Sequence, residues 1–165
     1  MAVWLSGAGC SSIWNTSGLG PVGPAPGGPR AAAPGGYLKV YSATVQHELG
    51  GNTYYYPHRN YFIYDATGTV LLKRVLNHIG DMDESPALVS LPAGKYQILA
   101  DDQGYGRIKI PVVIRPRQMT SVHLDGAWEP PAHASPSEVV KLPNGEYIGW
   151  SASVAGPGQA SYPSR

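Results

Sequence analysis

The residue types best suited to contact another molecule are concentrated in one stretch, which runs from Tyr54 to Tyr64 and holds six aromatic side chains. His58, Arg59 and Asn60 lie within the same stretch. Tyrosine rings stack on sugars or pack against proteins, and arginine accompanies tyrosine at protein interfaces. We therefore predict a non-catalytic binding surface that is made of these side chains: Tyr54, Tyr55, Tyr56, His58, Arg59, Phe62, Tyr64 and Trp150.

Three uses of this aromatic stretch are open at the level of sequence. The first prediction is a protein partner, and the alternative is a cell-surface polysaccharide. The third use is structural, with the rings covering one face of a sheet beneath the C-terminal residues and with Trp150 as their neighbour. The oligomeric state also stays open, because the edge strands of a sheet can pair with a neighbouring molecule.

The histidines and serines form no recognisable catalytic pattern. The serines lie in segments predicted as linkers or strands, and no glycine-flanked nucleophile turn is present. No glycine-rich phosphate loop precedes a predicted helix. We therefore predict that the chain is not an enzyme and uses no cofactor, and we rank a small cell-envelope hydrolase as the third alternative for its function.

A metal site is also not predicted. The five histidines lack short ligand spacing, and there is no second cysteine to join them: His47, His58, His78, His123 and His133. His78, Asp81 and Asp83 could gather ligands in one loop, but carboxylates suit calcium whereas histidine does not. A solvated loop between strands is the preferred interpretation of these three residues.

The charge of the chain argues against binding to nucleic acid. It has 12 basic and 11 acidic residues, a formal net charge of +1, and only 14% charged residues. Soluble domains have roughly 25% charged residues, and binding to a phosphate backbone depends on an excess of basic side chains. We therefore expect no nucleic-acid partner.

The N-terminus predicts export. Residues 1–9 are an apolar run that ends in small residues before Cys10, the only cysteine, and they resemble the end of a bacterial lipoprotein signal. Gly7 departs from that pattern, where leucine is usual three residues before the cysteine, and no basic residue precedes the run. We predict an exported cell-envelope protein whose membrane contact is limited to a lipid anchor at Cys10. The alternative is a cysteine without a function in the N-terminal tail.

Alternating apolar residues predict the scaffold. In residues 107–114, four apolar side chains fall on one face of a strand: Ile108, Ile110, Val112 and Ile114. Similar patterns predict seven strands, at residues 37–46, 60–65, 70–76, 87–91, 95–100, 107–114 and 119–124. Seven short strands separated by turn residues indicate an all-β, seven-stranded antiparallel Greek-key sandwich.

The domain boundaries follow from composition. Residues 10–36 are predicted to be a disordered Gly/Pro-rich linker, residues 37–125 the sandwich, and residues 126–165 a tail. Within that tail, Asn144-Gly145 predicts a hairpin over residues 138–150. An isolated hairpin is only marginally stable, so we expect it to dock through Tyr147, Ile148 or Trp150.

The motifs that open and close these strands are similar to a known family. The corner Leu91-Pro-Ala-Gly-Lys-Tyr96, together with Gly36-Tyr-Leu-Lys-Val40 and Tyr64-Asp-Ala-Thr-Gly68, resembles prealbumin-like sandwiches of the carboxypeptidase regulatory-like domain family, which are related to B-type adhesin repeats. The resemblance implies a non-catalytic accessory or spacer module. Tyr96 is expected to donate a hydrogen bond to the backbone a few residues upstream.

An isopeptide crosslink of the adhesin type is not predicted. Lys39 alternates with Leu38 and Val40 and therefore points out of the core, and residues 119–124 contain no asparagine to accept it. The resemblance therefore transfers architecture and no chemistry.

Overall fold

The computed structural model describes residues 18–28, 34–78 and 82–153. Within those ranges the chain forms strands and turns and no helix, and therefore no helix that is long and apolar enough to cross a membrane. The strands are β1 (Val22–Gly23), β2 (Gly36–Tyr41), β3 (His47–Gly50), β4 (Thr53–Tyr55), β5 (Tyr61–Tyr64), β6 (Leu71–Val75), β7 (Leu88–Leu91), β8 (Gly94–Asp102), β9 (Gly106–Ile114), β10 (Met119–His123), β11 (Val139–Lys141) and β12 (Tyr147–Ser151).

Two large sheets pack on one hydrophobic core, which confirms the all-β prediction. The seven-stranded sheet has the order β11-β12-β1-β9-β8-β5-β6, and the three-stranded sheet has the order β10-β2-β7. β3 and β4 form a separate two-stranded hairpin. The expectation that every ladder is antiparallel is wrong at two places, since β1 pairs with β9 and β2 pairs with β10 in parallel. These partners are far apart in the chain, so no tight turn forces them to run in opposite directions.

The alternating pattern predicted for β9 is confirmed. Ile108, Ile110, Val112 and Ile114 are all buried, and they face Leu38, Val40 and Val122 from the other sheet within the same core. Leu72 lies in the segment predicted as a strand at residues 70–76, but its apolar side chain is 52% exposed. It lies on the outermost strand of its sheet, opposite a bulge at Ile63/Tyr64, where no second layer covers it.

The predicted tyrosine corner is confirmed. The hydroxyl of Tyr96 donates a 3.0 Å hydrogen bond to the carbonyl of Pro92, four residues upstream. Residues Asp65–Gly68, which lie between two predicted strands, form a turn in which the amide of Gly68 donates to the carbonyl of Asp65 at 3.0 Å. Gly68 has a φ of 75°, which glycine adopts without the strain that a Cβ would cause.

The sandwich extends beyond residues 37–125. β1 lies within the predicted linker, yet it is inserted between β9 and β12, and Val22 is fully buried. The prediction that all of residues 10–36 form a linker is therefore wrong at β1, because two strand residues among glycines and prolines give no periodic pattern. The C-terminal hairpin joins the large sheet through β1, and Ile148 is fully buried, as expected for an anchor.

On one side of the sandwich, here called the closed side, contacts join the two sheets. The other side, here called the open side, is where both sheets end. On the closed side, a bridge joins Pro24 to Thr120, and a Cβ on Gly149 would lie 2.8 Å from the carbonyl oxygen of Ser121. On the open side, β6 and β7 are the last strands of their sheets. Their exposed apolar side chains include Leu71, Leu72 and Leu88. The candidate site lies beside this open side.

Candidate functional site

A groove on the outer face of the seven-stranded sheet contains three of the predicted binding residues. His58, Arg59 and Phe62 line it together with residues that the sequence did not single out for binding. Its volume is about 490 Å³. We call it the basic groove and define it by six basic side chains around Phe62 and Asp101: Arg59, Arg74, Arg107, His47, His58 and His78.

Cross-strand register assembles this groove. Phe62 on β5 lies opposite Arg74 on β6, and Asp101 on β8 lies opposite Arg107 on β9. Directly opposed residues of an antiparallel ladder share one face of the sheet. Ile63 is buried whereas Phe62 and Tyr64 are half-buried, so the period of two places the Phe62 ring in the groove.

A hydrogen-bonded arm forms one wall of the groove. The arm consists of residues 43–59, in which the amide of Val45 donates to the carbonyl of Pro57 at 3.1 Å and the amide of Arg59 donates to the carbonyl of Ala43 at 2.8 Å. Its tip turns at Gly50, Gly51 and Asn52, all of which have positive φ. Asparagine and glycine tolerate this conformation better than other residues, so the sequence fixes the turn at this position.

The predicted tyrosines of the arm differ in exposure. Tyr54 and Tyr56 are each 44% exposed, whereas the ring of Tyr55 packs against that of His47 with centroids 5.1 Å apart. The amide of Tyr56 donates a 2.7 Å hydrogen bond to Glu84, which ties the arm to the segment before β7. Tyr54 and Tyr56 therefore offer two open rings on the arm, although neither ring lines the basic groove.

A buried asparagine holds the base of the arm. The side chain of Asn77 is fully buried and donates to the carbonyl of Val40 at 2.8 Å and to the hydroxyl of Ser42 at 3.0 Å. Its side-chain oxygen accepts from the amide of Ala87 at 3.0 Å. Ser42 in turn donates to the carbonyl of Arg59 at 2.6 Å. Because buried polar groups need partners, this network fixes where the arm returns to the sheet.

The residues at the base of the arm also hold the ring of His58 in place. It is buried, and its Nδ1 bonds the carbonyl of Ser42, so this nitrogen carries the proton and donates it. Its ring meets Tyr41 edge-on, with centroids 5.7 Å apart.

An ion cluster lies at the centre of the groove. Arg107 Nε lies 2.8 Å and Arg59 Nη1 3.6 Å from the carboxylate of Asp101. The side chain of Arg107 is 46% exposed, that of Arg59 is 51% exposed and that of Asp101 is 16% exposed. The hydrogen bond from Arg107 lowers the pKa of Asp101, and the charges of Arg107 and Arg59 lower it further.

The groove keeps an excess of positive charge. Three guanidinium groups and one carboxylate line it, and Arg74 has no ion pair with any residue in the described ranges. A second groove of about 530 Å³ lies on the other side of the ion cluster and is lined by Thr44, Gln103 and Gly104. We call it the polar groove. Since the two grooves share Arg59, Asp101 and Arg107, they offer a continuous surface for an extended ligand.

Two carboxyl groups near the polar groove each have a buried oxygen that lacks a partner among the described residues: Asp102 Oδ2 and Glu146 Oε1. Burial raises the pKa of both carboxyls, and the neighbouring charge of Asp102 raises that of Glu146 further. The folded chain therefore holds the protons of Asp102 and Glu146 more tightly than the unfolded chain does.

Within residues 18–28, 34–78 and 82–153, no group of three acidic, histidine or cysteine side chains could hold a metal ion.

Trp150 lies in a different place from the other predicted residues. It meets Trp128 edge-on at 6.1 Å, Trp128 stacks on His123 at 5.1 Å, and His123 stacks on Tyr41 at 4.4 Å. We call these four rings the aromatic stack. It lies on the outer face of the three-stranded sheet, because Tyr41 and His123 are opposite each other on β2 and β10.

Burial in the aromatic stack changes the chemistry of His123. It lowers the pKa of that imidazole to about 4, although the charge of Asp125 acts in the opposite direction. His123 lies between the buried Val122 and Leu124 and so faces out of the core, but it is half-buried because Trp128 covers it. The segment that brings Trp128 over the sheet is rich in proline and has no periodic pattern, so the sequence did not indicate this cover.

Tyr64 lies further along the sheet, where the ammonium of Lys109 is 5.2 Å from its ring centre. Cys10 and Asp81 lie outside the described residues.

The sequence analysis missed Arg74, Asp101 and Arg107 as site residues, although Arg107 alternates with the buried side chains of β9 and could have been assigned to its outer face. Together the exposed rings and guanidinium groups can bind an extended ligand by stacking and by ion pairing.

No protein-family model, curated protein or solved structure matches this chain.

Proposed function

We propose that this chain is a non-catalytic binding module of an exported protein in the bacterial cell envelope, and that it holds a protein partner at the basic groove and the arm. The main support is that two open rings on the arm, Tyr54 and Tyr56, accompany the guanidinium groups of the groove that the base of the arm lines. One of these groups, that of Arg74, has no ion pair among the described residues. Tyrosine and arginine are the side chains that contribute most to protein interfaces. The groove is too open to exclude water from a reaction, which favours binding over catalysis.

We also propose that the architecture is a variant of the prealbumin-like Greek-key sandwich. The confirmed tyrosine corner at Tyr96 supports this relationship. In this variant, β1 and the β11–β12 hairpin enlarge one of the two sheets. A spacer or accessory role is the function that this relationship implies.

Comparative affinity capture tests the binding proposal. Immobilised protein is incubated with an envelope fraction of the producing cells, and retained proteins are quantified by mass spectrometry. Replacement of Tyr54 and Tyr56 by alanine and of Arg74 by serine should reduce the specific partner by about tenfold, which corresponds to roughly 1.4 kcal/mol. A control that changes Lys95 and Tyr147, two side chains away from the groove, should retain it. Equal retention by both variants would contradict the proposal.

The carbohydrate alternative is favoured by one specific observation. Phe62 lies in the basic groove between Arg59, Arg74 and Arg107, where its ring could carry a sugar while the guanidinium groups hold hydroxyl or carboxylate groups. Binding of the same protein to a glycan array, with loss of signal in Phe62→Ala, would support this alternative. Loss of the glycan signal only in a variant with Tyr54 and Tyr56 replaced by alanine would not support it.

The lipid anchor at Cys10 is a separate part of the proposal. It is supported by the small residues before Cys10. Labelled palmitate should be incorporated when the protein is expressed with its upstream codons, and Cys10→Ser should abolish the label. An unlabelled wild-type protein would end the anchor hypothesis without affecting the binding proposal.

A further inference from the structure

The outermost strand of the large sheet lies directly beside the basic groove. β6 pairs with β5 on one side, and in the described ranges no strand pairs with its other side. An edge of this kind presents free amide and carbonyl groups to any extended chain. Leu71 and Leu72 on this strand are 51% and 52% exposed, and Val70 before it is 56% exposed. Exposed apolar side chains that adjoin each other mark a contact surface.

The charges on β6 distinguish between possible occupants. Lys73 and Arg74 are both exposed and adjacent, and Arg74 lies on the face of the basic groove. If a second copy paired with β6 in the antiparallel direction about Lys73, the two lysines would oppose each other. Like charges that oppose each other destabilise a strand pair. A second copy is therefore disfavoured, and a strand with acidic side chains is complementary.

The groove extends this complementarity across the sheet. An added strand would lie about 4.8 Å from β6, which places its groove-facing side chains within reach of Arg74. Arg59 and Arg107 are next in the groove and share a single carboxylate, that of Asp101. A peptide is favoured over an acidic polysaccharide, because only a peptide can satisfy the free backbone groups of the edge.

We propose that β6 is a docking edge for an extended acidic peptide, which adds a strand to the seven-stranded sheet, places carboxylates on the groove face against Arg74, and lies alongside the exposed Leu71 and Leu72. This inference rests on the proposed function and identifies the chemistry of the partner. The recognised feature is an alternation of acidic and apolar residues in an extended segment.

Peptide titration tests this inference. The probe is a fluorescein-labelled ten-residue peptide of alternating Glu and Val, and its anisotropy is followed at low ionic strength. It should bind, and the matched peptide with Lys in place of Glu should not. Charge reversal by Arg74→Glu should weaken binding by about tenfold, because an attraction on the groove face becomes a repulsion. The control Lys95→Glu carries the same type of change on β8, four residues or about 13 Å along the strand from Leu99, which is level with Arg74, and should bind normally.

A second measurement keeps the test independent of folding. Amide hydrogen exchange should slow at Leu71–Val75 when the acidic peptide is added to the wild-type protein, since strand addition protects edge amides. Equal binding of the Glu and Lys peptides, binding of polygalacturonate but not of the peptide, or dimerisation through β6 would each overturn the inference. If the peptide fails while the envelope partner is still lost in the Tyr54/Tyr56/Arg74 variant, only this inference falls and the proposed function survives.

Discussion

The aromatic stack and the arm are both rich in rings, yet the rings have different neighbours. In the aromatic stack, Trp128 and His123 lie between other rings, and each aromatic face is occupied by the next. On the arm, Tyr54 and Tyr56 are each 44% exposed. The same residue types therefore stabilise the fold in one place and remain available for contact in the other.

The largest expected effect concerns the base of the arm. Asn77→Ala should lower the free energy of unfolding by about 3 kcal/mol or more, because it leaves several buried partners unpaired, at roughly 1–3 kcal/mol each. Chemical denaturation of the variant measures this loss. Asn144→Ala, at an exposed hairpin turn, is the matched control and should change stability by less than about 0.5 kcal/mol. A small effect at Asn77 would mean that the network does not hold the arm.

The next prediction compares the two groups of rings directly. Trp128→Ala should cost about 2 kcal/mol, because it removes a ring that covers His123 and contacts Trp150. Tyr54→Ala should cost less than about 0.5 kcal/mol, since its ring is open to solvent. Thermal unfolding of both variants measures the difference. Equal losses would contradict the division between structural and available rings.

These two predictions show what the sequence could and could not provide. The alternation in residues 107–114 predicted β9 and its buried face, and the Pro-Ala-Gly-Lys-Tyr motif predicted the Tyr96 corner. The aromatic stretch predicted three residues of the basic groove. Arg74, Asp101 and Arg107 could not be assigned, because only the cross-strand register brings them together. Asn77 was also missed, since a single asparagine in a turn gives no sign of burial.

A third prediction concerns a ring of the aromatic stretch that lies in the core. Tyr61 is fully buried, and its hydroxyl has no hydrogen-bond partner among the described residues. Tyr61→Phe should therefore raise the free energy of unfolding by about 1 kcal/mol, because it removes a buried polar group without leaving a cavity. Denaturant midpoints measure this gain. A loss of 1 kcal/mol or more would show that the hydroxyl is bonded in the folded protein.

The smallest expected effect is a pH dependence that originates in the aromatic stack. The pKa of His123 is lowered from 6.5 to about 4 by burial, so below pH 6.5 the unfolded chain binds a proton that the folded chain does not. Stability should fall as the pH falls from about 6.5 to about 4, by no more than about 1 kcal/mol, because solvent reaches part of the ring.

Comparison of the wild type with His123→Phe isolates this contribution. The raised pKa values of Asp102 and Glu146 act in the opposite direction, since their stabilisation is present at acidic pH and is lost as the pH rises through the folded pKa. They are the same in both proteins and cancel in the difference. The variant should show a smaller loss toward pH 4, and identical curves would place His123 in contact with solvent.

Site-specific photo-crosslinking in the cells that produce the protein tests the central claim most directly. A photoreactive side chain is introduced at Tyr56 on the arm or at Arg74 in the basic groove, and at Lys95 or Tyr147 as controls. The account predicts one discrete protein adduct from each of Tyr56 and Arg74 and none from either control. Adducts of equal yield from all four positions, or adducts from the controls alone, would contradict the assignment of the basic groove and the arm as the contact surface.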